Sequence, residues 1–168
     1  YRAVSTTIVG NYVGTDTSGM HAIPNGGGSI NVQLSRNTRI GGMDEAARNV
    51  VSGNVAASTA GIEVYQDVGA VIQGNYVGVT ADGSGPLPNM WGVSVSGSVT
   101  VGGTDPGAAN VVSGNRLFGV GVSSATAGSA APLIRGNKIG VSPGGQPMGN
   151  GEAGVYAELA FPSGESRA

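Results

Sequence analysis

Residues 8–14 read Ile8-Val9-Gly10-Asn11-Tyr12-Val13-Gly14, and this phrase returns twice along the chain. The second copy runs from Ile72 to Gly78, and the third runs from Ile134 to Gly140. A different phrase, Val-Val-Ser-Gly-Asn, lies between the copies and ends at Asn54 and at Asn115. Two phrases that alternate at regular intervals indicate a stack of similar units, each of which contacts mainly its neighbours. The repeat predicts the fold far more strongly than it predicts a function.

The composition favours an ordered chain over a linker. Of the 168 residues, 32 are glycine, 39% are hydrophobic and only 11% are charged. Collagen is excluded because glycine does not fall at every third position. The hydrophobic residues are mostly Val, Ile and Ala in short alternating runs, so we expect glycine to mark turns between buried strands. The repeat gives no reason to divide residues 1–168, and we predict a single domain.

Charge and hydropathy exclude two classes of partner. The formal net charge is −2 and the eight Lys and Arg form no run, which argues against nucleic-acid binding. No stretch approaches the roughly 20 apolar residues of a membrane helix, so we expect no membrane contact. The absence of cysteine excludes disulfide and thiolate sites. The repeat is under way at Ile8 without a signal peptide, so we interpret the chain as an internal piece of a longer protein, with residues 160–168 as a polar C-terminal tail.

A short alternating strand recurs in each unit, at intervals of roughly 30 residues. Alternation places one set of residues inside: Ile30, Ile62, Val93, Val120 and Val155, with Val32, Val64, Val95 and Val122 beneath them. It points a second set outward as a column: Asn31, Glu63, Ser94, Gly121 and Tyr156. A second and a third β-branched segment follow in each unit, separated by Gly, Asn and Ser turns, so we expect three short strands per unit.

Three strands per unit without helical spacing predict an all-β coil whose successive turns pair in parallel, about 4.8 Å apart. About five coils would be stacked. A leucine-rich-repeat solenoid is an alternative, but its Leu-rich register is missing. A β-sandwich is the other alternative, although sequence identity between its distant strands is unusual.

The repeated phrases resemble those of the right-handed parallel β-helix repeats of large secreted bacterial proteins, in the superfamily that includes pectate lyases and polygalacturonases. The resemblance covers residues 8–159. It implies a right-handed coil, an extracellular or cell-surface location, and contact with carbohydrate. Because its motifs are core and turn residues, the resemblance implies no particular activity.

Asparagine follows glycine at five predicted corners of the coil: Asn11, Asn54, Asn75, Asn115 and Asn137. Asparagine tolerates the left-handed region, and its amide can hydrogen-bond a neighbouring backbone, so we predict structural turns there. The alternative is that these amides bind a ligand.

Acidic loops raise the question of a metal. Asp16 and Asp82 lie in two long matching loops, and oxygen-rich loops suit Ca²⁺. However, each aspartate aligns with a hydroxyl residue in the other loop, so no loop concentrates carboxylates and we expect no cofactor or metal. Asp44 and Asp105 each precede a pair of alanines, and we expect each to cap one helical turn.

No catalytic residue is predicted. A polysaccharide lyase needs a base, and the candidates Arg39, Arg135 and Lys138 lack an accompanying acidic group. A glycoside hydrolase needs two carboxyls about 5–9.5 Å apart, and neither Asp67 nor Glu158 is expected that close to Glu63. His21 lacks Ser or Asp partners at a recognisable spacing.

Five outward residues are the predicted ligand contacts. Glu63 and Tyr65 share one face of a strand, Tyr156 and Glu158 share that face three rungs away, and Trp91 precedes a strand. Aromatic rings beside polar groups suit sugar binding, although the rings could also simply cover the flank of the coil.

We therefore favour a non-catalytic module of a secreted or surface protein, structural and polysaccharide-binding. The first alternative is a polysaccharide lyase or glycoside hydrolase acting on pectin-like uronate polymers. The second is a rigid spacer that self-associates end to end, or by side packing, as a homo-oligomer.

Overall fold

The computed structural model describes residues 4–55, 59–123 and 130–158. They form thirteen strands: β1 (Thr7–Ile8), β2 (Tyr12–Val13), β3 (Ile30–Gln33), β4 (Arg39–Gly41), β5 (Val50–Val51), β6 (Ala60–Gln73), β7 (Tyr76–Val77), β8 (Trp91–Gly102), β9 (Val111–Val112), β10 (Phe118–Ser123), β11 (Leu133–Arg135), β12 (Lys138–Ile139) and β13 (Ala153–Glu158). One 3-10 helix, Glu45–Ala47, interrupts them. Within these ranges no helix has the length and apolar character needed to cross a membrane. The predicted tail, residues 160–168, lies outside the described residues.

The strands pair in parallel in two sheets. The first sheet has the order β1-β4-β6-β8-β10-β13, with β3 also on β6 and β11 also on β8, and the second has the order β2-β5-β7-β9-β12. The chain visits these sheets in rotation, so it winds as a parallel β-solenoid, and the predicted all-β coil is confirmed. It makes about four turns, namely β3–β5, β6–β7, β8–β9 and β10–β12. The expected number of about five was too high, because the strands at each end belong to partial turns.

Two of the four turns lack the predicted set of three short strands. In these turns the first two segments merge into the long strands β6 and β8. The long strands bend at residues with left-handed backbone, Gln66 (φ 52°) and Gly97 (φ 91°). The register between β6 and β8 shifts between Val64 and Asp67, beside these bends. The chain therefore turns this corner without ending its pairing with the neighbouring rungs.

The predicted inward and outward columns are both present in the first sheet. Ile30, Ile62, Val93 and Val120 are register partners on successive strands and are buried. Val155 continues their column but is 49% exposed. Among the described residues, its strand, β13, pairs with β10 alone, so it has a rung on one side. The core is thus a stack of β-branched side chains enclosed by the coil.

Two ladders of asparagine follow two corners of the solenoid. The first ladder comprises Asn11, Asn49, Asn75, Asn110 and Asn137. The second comprises Asn25, Asn54, Asn89, Asn115 and Asn150. In each step, one amide oxygen accepts hydrogen bonds from the backbone N–H and the side-chain amide of the adjacent asparagine. The ladders therefore join the turns where no β-pairing is available.

The five asparagines predicted at corners are divided between these ladders. Asn11, Asn75 and Asn137 belong to the first ladder, and Asn54 and Asn115 belong to the second. None of the five has a positive φ; the left-handed residue is the glycine that precedes each of them. Glycine adopts this conformation without a steric penalty, so the asparagine that follows it does not have to.

Spacing along the first ladder alternates between long and short, at 38, 26, 35 and 27 residues. The long intervals contain the inserted loops 42–48 and 103–109. The turns without these insertions carry loops at the second ladder's corner instead, namely loops 14–24, 78–88 and 140–149. The structural period is consequently two turns, and the two series of loops form walls on either side of the second sheet.

Candidate functional site

The five predicted ligand contacts lie on the outer face of the first sheet. Trp91 begins β8, and its ring meets that of Phe118 edge to face, with centroids 5.6 Å apart at 70°. Phe118, on the next strand, stacks on Tyr156 of β13 with centroids 4.5 Å apart at 14°. These three rings form the surface that we call the aromatic strip. It runs across three consecutive strands, along the solenoid axis.

One carboxylate borders the aromatic strip, and a second lies farther away on the same face of the sheet. The hydroxyl of Tyr156 donates to Glu158 Oε2 over 3.2 Å. At the other end of the face, Glu63 Oε2 accepts from Asn31 Nδ2 over 2.7 Å. Tyr65 is 44% exposed on the same strand as Glu63. The face thus offers aromatic rings and hydrogen-bond acceptors side by side.

The structure brings only some of the predicted residues together. Trp91, Tyr156 and Glu158 form one cluster, whereas Glu63 and Tyr65 lie apart from it. Register places Glu63 and Tyr156 three rungs apart, about 14 Å. Ser94 and Gly121 occupy the rungs between them, and the small side chain of Ser94 and the bare backbone of Gly121 leave this part of the face flat.

Phe118 is the contact that sequence reasoning missed. It joins Trp91 to Tyr156, and without it the two rings would be isolated. A signal was present, since Phe118 and Trp91 each lie two residues before a buried valine, Val120 or Val93, and these valines are register partners.

The candidate acids and bases do not assemble into a reaction centre. Glu63 and Glu158 are three rungs or more apart, beyond the 5–9.5 Å that glycoside hydrolysis requires. Arg39 Nε donates to the Gly41 carbonyl over 3.1 Å, and Lys138 donates to the Pro143 carbonyl. His21 Nδ1 lies 3.0 Å from Asp16 Oδ2.

The loop aspartates are occupied by local hydrogen bonds. Asp16 Oδ1 accepts from the Ser18 hydroxyl over 2.8 Å and from Met20 N over 3.1 Å. The Ser18 hydroxyl and the His21 ring together hold the pKa of Asp16 well below its usual value. For Asp82, the Ser84 backbone N–H and then the Thr80 hydroxyl lower the pKa. In residues 4–55, 59–123 and 130–158, no group of three or more His, Asp and Glu could hold a metal ion.

The expected aspartate caps are not formed at either loop. Asp44 precedes the 3-10 helix, but its side chain makes no capping hydrogen bond. Asp105 begins a turn closed by Ala108 N donating to its carbonyl, and no helix follows. The prediction that both carboxylates cap a helical turn was wrong, because backbone contacts close both turns.

A second surface covers the outer face of the second sheet. Its floor is a register column: Tyr12, Val50, Tyr76, Val111 and Lys138. Between the two loop walls, two cavities of about 230 and 270 Å³ lie along this column. We call the floor with its two cavities the tyrosine groove. Sequence reasoning did not identify it, although both tyrosines occupy the same place in two copies of the repeat.

Comparison of the chain with protein-family models, with curated proteins and with solved structures gives no match. The geometry of the aromatic strip and of the tyrosine groove is therefore the basis for assigning a function.

Proposed function

We propose that the chain is a rigid, non-catalytic β-helical module of a secreted or cell-surface protein, and that it binds a neutral polysaccharide on the aromatic strip. The observation that carries this proposal is the contact of Trp91, Phe118 and Tyr156 across three strands of a flat sheet. The parallel stack supplies a stiff support, because each rung is hydrogen-bonded to the next. Rings held on such a support lose little conformational freedom when a ligand binds.

The arrangement suits a chain of sugar rings lying along the solenoid axis. The apolar face of a sugar can pack on the exposed ring of Tyr156, which is 39% exposed. Sugar hydroxyls can donate to Glu63 and Glu158, and hydrogen bonds to ionised carboxylates are stronger than those between neutral groups. The same carboxylates would repel an acidic polymer, which is why we propose a neutral one.

The test is electrophoresis in gels that contain soluble neutral polysaccharides. We expect the native protein to be retarded by at least one of them. Loss of one ring contact is worth about 1.4 kcal/mol, so Trp91→Ala and Tyr156→Ala should each weaken binding about tenfold. Tyr12→Ala, which removes a ring from the second sheet, is the matched control and should bind as the native protein does.

Two results would contradict the proposal. One is full retardation of the Trp91→Ala, Tyr156→Ala double variant, provided that circular dichroism shows it folded. The other is cleavage of pectate with a rise in ultraviolet absorbance, which would favour the lyase alternative. End-to-end association remains a third proposal; the exposed Val155 supports it, and a mass that rises with concentration in sedimentation would test it.

A further inference from the structure

We propose that the tyrosine groove is a separate binding site, and that it takes a proline-rich peptide segment in the polyproline II conformation with acidic residues. This inference does not depend on polysaccharide binding, since the groove and the aromatic strip lie on different sheets. The groove has a repeated pocket, a fixed spacing between the pockets, and two cations, Arg48 and Lys138.

The groove contains the same pocket twice. The smaller cavity, about 230 Å³, is lined by Tyr12 and Val50 on the floor and by Ala81 on one wall. The larger cavity, about 270 Å³, is lined by Tyr76 and Val111 on the floor and by Pro143 on that wall. Both pockets thus pair a tyrosine with a valine beneath a loop residue. The two-turn period of the solenoid produces this repetition.

The pockets are open at the top, and their lining as a whole exposes more polar than apolar surface, with the tyrosine ring and the valine as its apolar part. Val50 and Val111 are each 3% exposed, whereas Tyr12 is 52% exposed. A tyrosine ring beside a buried valine forms a shallow apolar depression, into which a compact ring such as that of proline can pack. Because proline has little conformational freedom to lose, such packing costs little entropy.

Spacing identifies the conformation of the ligand. Tyr12 and Tyr76 lie on alternate rungs of the second sheet, with Val50 between them, so the pockets repeat every two rungs. Two rungs measure about 9.5 Å. One turn of polyproline II, three residues of about 3.1 Å, measures about 9.3 Å. Prolines three residues apart would therefore reach successive pockets. In an extended strand the side chains alternate between two faces, so residues three apart would point in opposite directions and could not both enter the pockets.

Arg48 forms the ridge between the pockets and lines both of them. Its guanidinium carbon lies 4.1 Å from the centroid of Tyr76, and Nη1 donates to Glu45 Oε1 over 3.1 Å. Its Nε is buried, and no acceptor for it exists in the part of the chain that the structure describes. A buried donor without an acceptor is costly. A ligand on the ridge cannot reach this covered atom, so a peptide carbonyl or carboxylate would instead contact the accessible part of the Arg48 side chain, which is 24% exposed.

The remaining charges of the groove favour a segment with acidic residues. Lys138 lies at one end of the floor and pairs with no carboxylate in the described residues. Glu45 is already paired with Arg48, and its side chain is 87% exposed at the rim. Asp44 also borders the larger cavity. Lys138, which has no carboxylate partner in the described residues and donates only to the Pro143 carbonyl, thus lies on the floor where the ligand would lie.

The test is fluorescence anisotropy with a labelled peptide of three Pro-Pro-Asp repeats. A peptide of Gly-Gly-Asp repeats has the same charge without the polyproline II preference, and it is the matched ligand control. We expect saturable binding of the proline peptide and at least tenfold weaker binding of the glycine peptide. Tyr12→Ala should weaken binding of the proline peptide about tenfold, and Arg48→Lys, which keeps the charge but removes the planar guanidinium beside Tyr76, about fivefold. Trp91→Ala should leave it unchanged.

Several outcomes would overturn this proposal while leaving polysaccharide binding intact. Equal binding of the two peptides would show that only charge matters. Displacement of the peptide by neutral or acidic oligosaccharides would assign the groove to a glycan. Loss of peptide binding in Trp91→Ala, or unchanged binding in folded Tyr12→Ala, would place the peptide elsewhere. No binding of the proline peptide by the folded native protein would also refute it.

Discussion

Asparagine, more than any other single residue type, joins one turn to the next. Asn75 is fully buried, and its oxygen accepts from the backbone N–H of Asn49 over 3.2 Å and from its side chain over 2.9 Å. Its Nδ2 donates to the carbonyls of Ile40 and Gln73. One side chain thus satisfies backbone groups of two turns, at a corner where the sheets cannot.

Replacing Asn75 by alanine should cost about 3 kcal/mol of unfolding free energy, because several buried polar groups lose their partner. The matched control is Asn11→Ala. Asn11 is exposed at the end of the same ladder, so its loss should cost about 1 kcal/mol. Urea unfolding followed by circular dichroism measures both. Equal costs for the two variants would show that the ladder does not stabilise the interior turns.

Asp16 makes one loop sensitive to acid. The hydroxyl of Ser18 and the ring of His21 lower the pKa of Asp16 below its usual 3.8. A lowered folded-state pKa means that the stabilisation is complete above that usual value and is lost as the pH falls through the lower, folded one. A carboxyl-carbon NMR titration should therefore give a midpoint below 3.8 for Asp16. Ser18→Ala should move the midpoint back towards 3.8, and an unshifted midpoint in the native protein would refute these contacts.

At the residue scale, the sequence identified positions better than roles. The Gly-Asn pairs were the turn residues that the sequence offered, and in each pair the glycine has the left-handed backbone. Which asparagines would join one another was not predictable, since the partner of Asn75 depends on how many residues lie in the loops on either side. Phe118 escaped notice for the same reason, because its contact with Tyr156 exists only once the rungs are stacked.

Strands and corners depend on close approach of the backbones. Gly74 has φ 66°, and a Cβ placed there would lie 1.9 Å from the carbonyl oxygen of Gly42 in the inserted loop. The inserted loop can therefore lie against the neighbouring turn only if this position has no side chain. This close approach of Gly74 to Gly42 is needed both for the tight corner before β7 and for the position of the loop that forms one wall of the tyrosine groove.

Gly74→Ala should lower the free energy of unfolding by at least about 2 kcal/mol, because left-handed strain and a backbone clash add together. Gly85→Ala is the control, since a Cβ there meets nothing within 4 Å, and its effect should stay within about 0.5 kcal/mol. Thermal unfolding of the two variants provides the comparison. A Gly74→Ala protein as stable as the control would mean that loop 42–48 does not pack as described.

At the element scale, alternation predicted which residues face inward, and register was predicted correctly from Ile30 to Val155. Because side chains alternate between two faces, a shift of one residue would move every buried side chain to the solvent face. The register of a strand with one buried face is therefore strongly specified. The merging of two segments into β6 was not predictable. It depends on the left-handed backbone of Gln66, which glutamine rarely adopts and which the stacked rungs impose.

The whole molecule has a longer period than its strands suggest. Strand spacing indicated one unit per turn, whereas the loop walls repeat every two turns. Since the walls and the tyrosine pockets follow the longer period, surface features recur about every 9.5 Å along the axis. The fold could be predicted because the core is repetitive. Of the sites, the sequence pointed to Trp91 and Tyr156, whereas Phe118 and the tyrosine groove depend on rings and loops that meet only after stacking.

The central claim is that successive turns stack in parallel with one fixed register. It can be tested by pairs of introduced cysteines, since the chain has none of its own. Asn31 and Glu63 are register partners, as are Glu63 and Ser94, so each pair lies about 4.8 Å apart, within the range for a disulfide. Asn31 and Ser94 are two rungs apart, about 10 Å, beyond that range.

Mass spectrometry after mild oxidation should find a disulfide in Asn31→Cys, Glu63→Cys and in Glu63→Cys, Ser94→Cys. It should find none in Asn31→Cys, Ser94→Cys. A disulfide in this last pair, or none in both pairs of neighbours, would contradict the stacking on which both proposed sites depend.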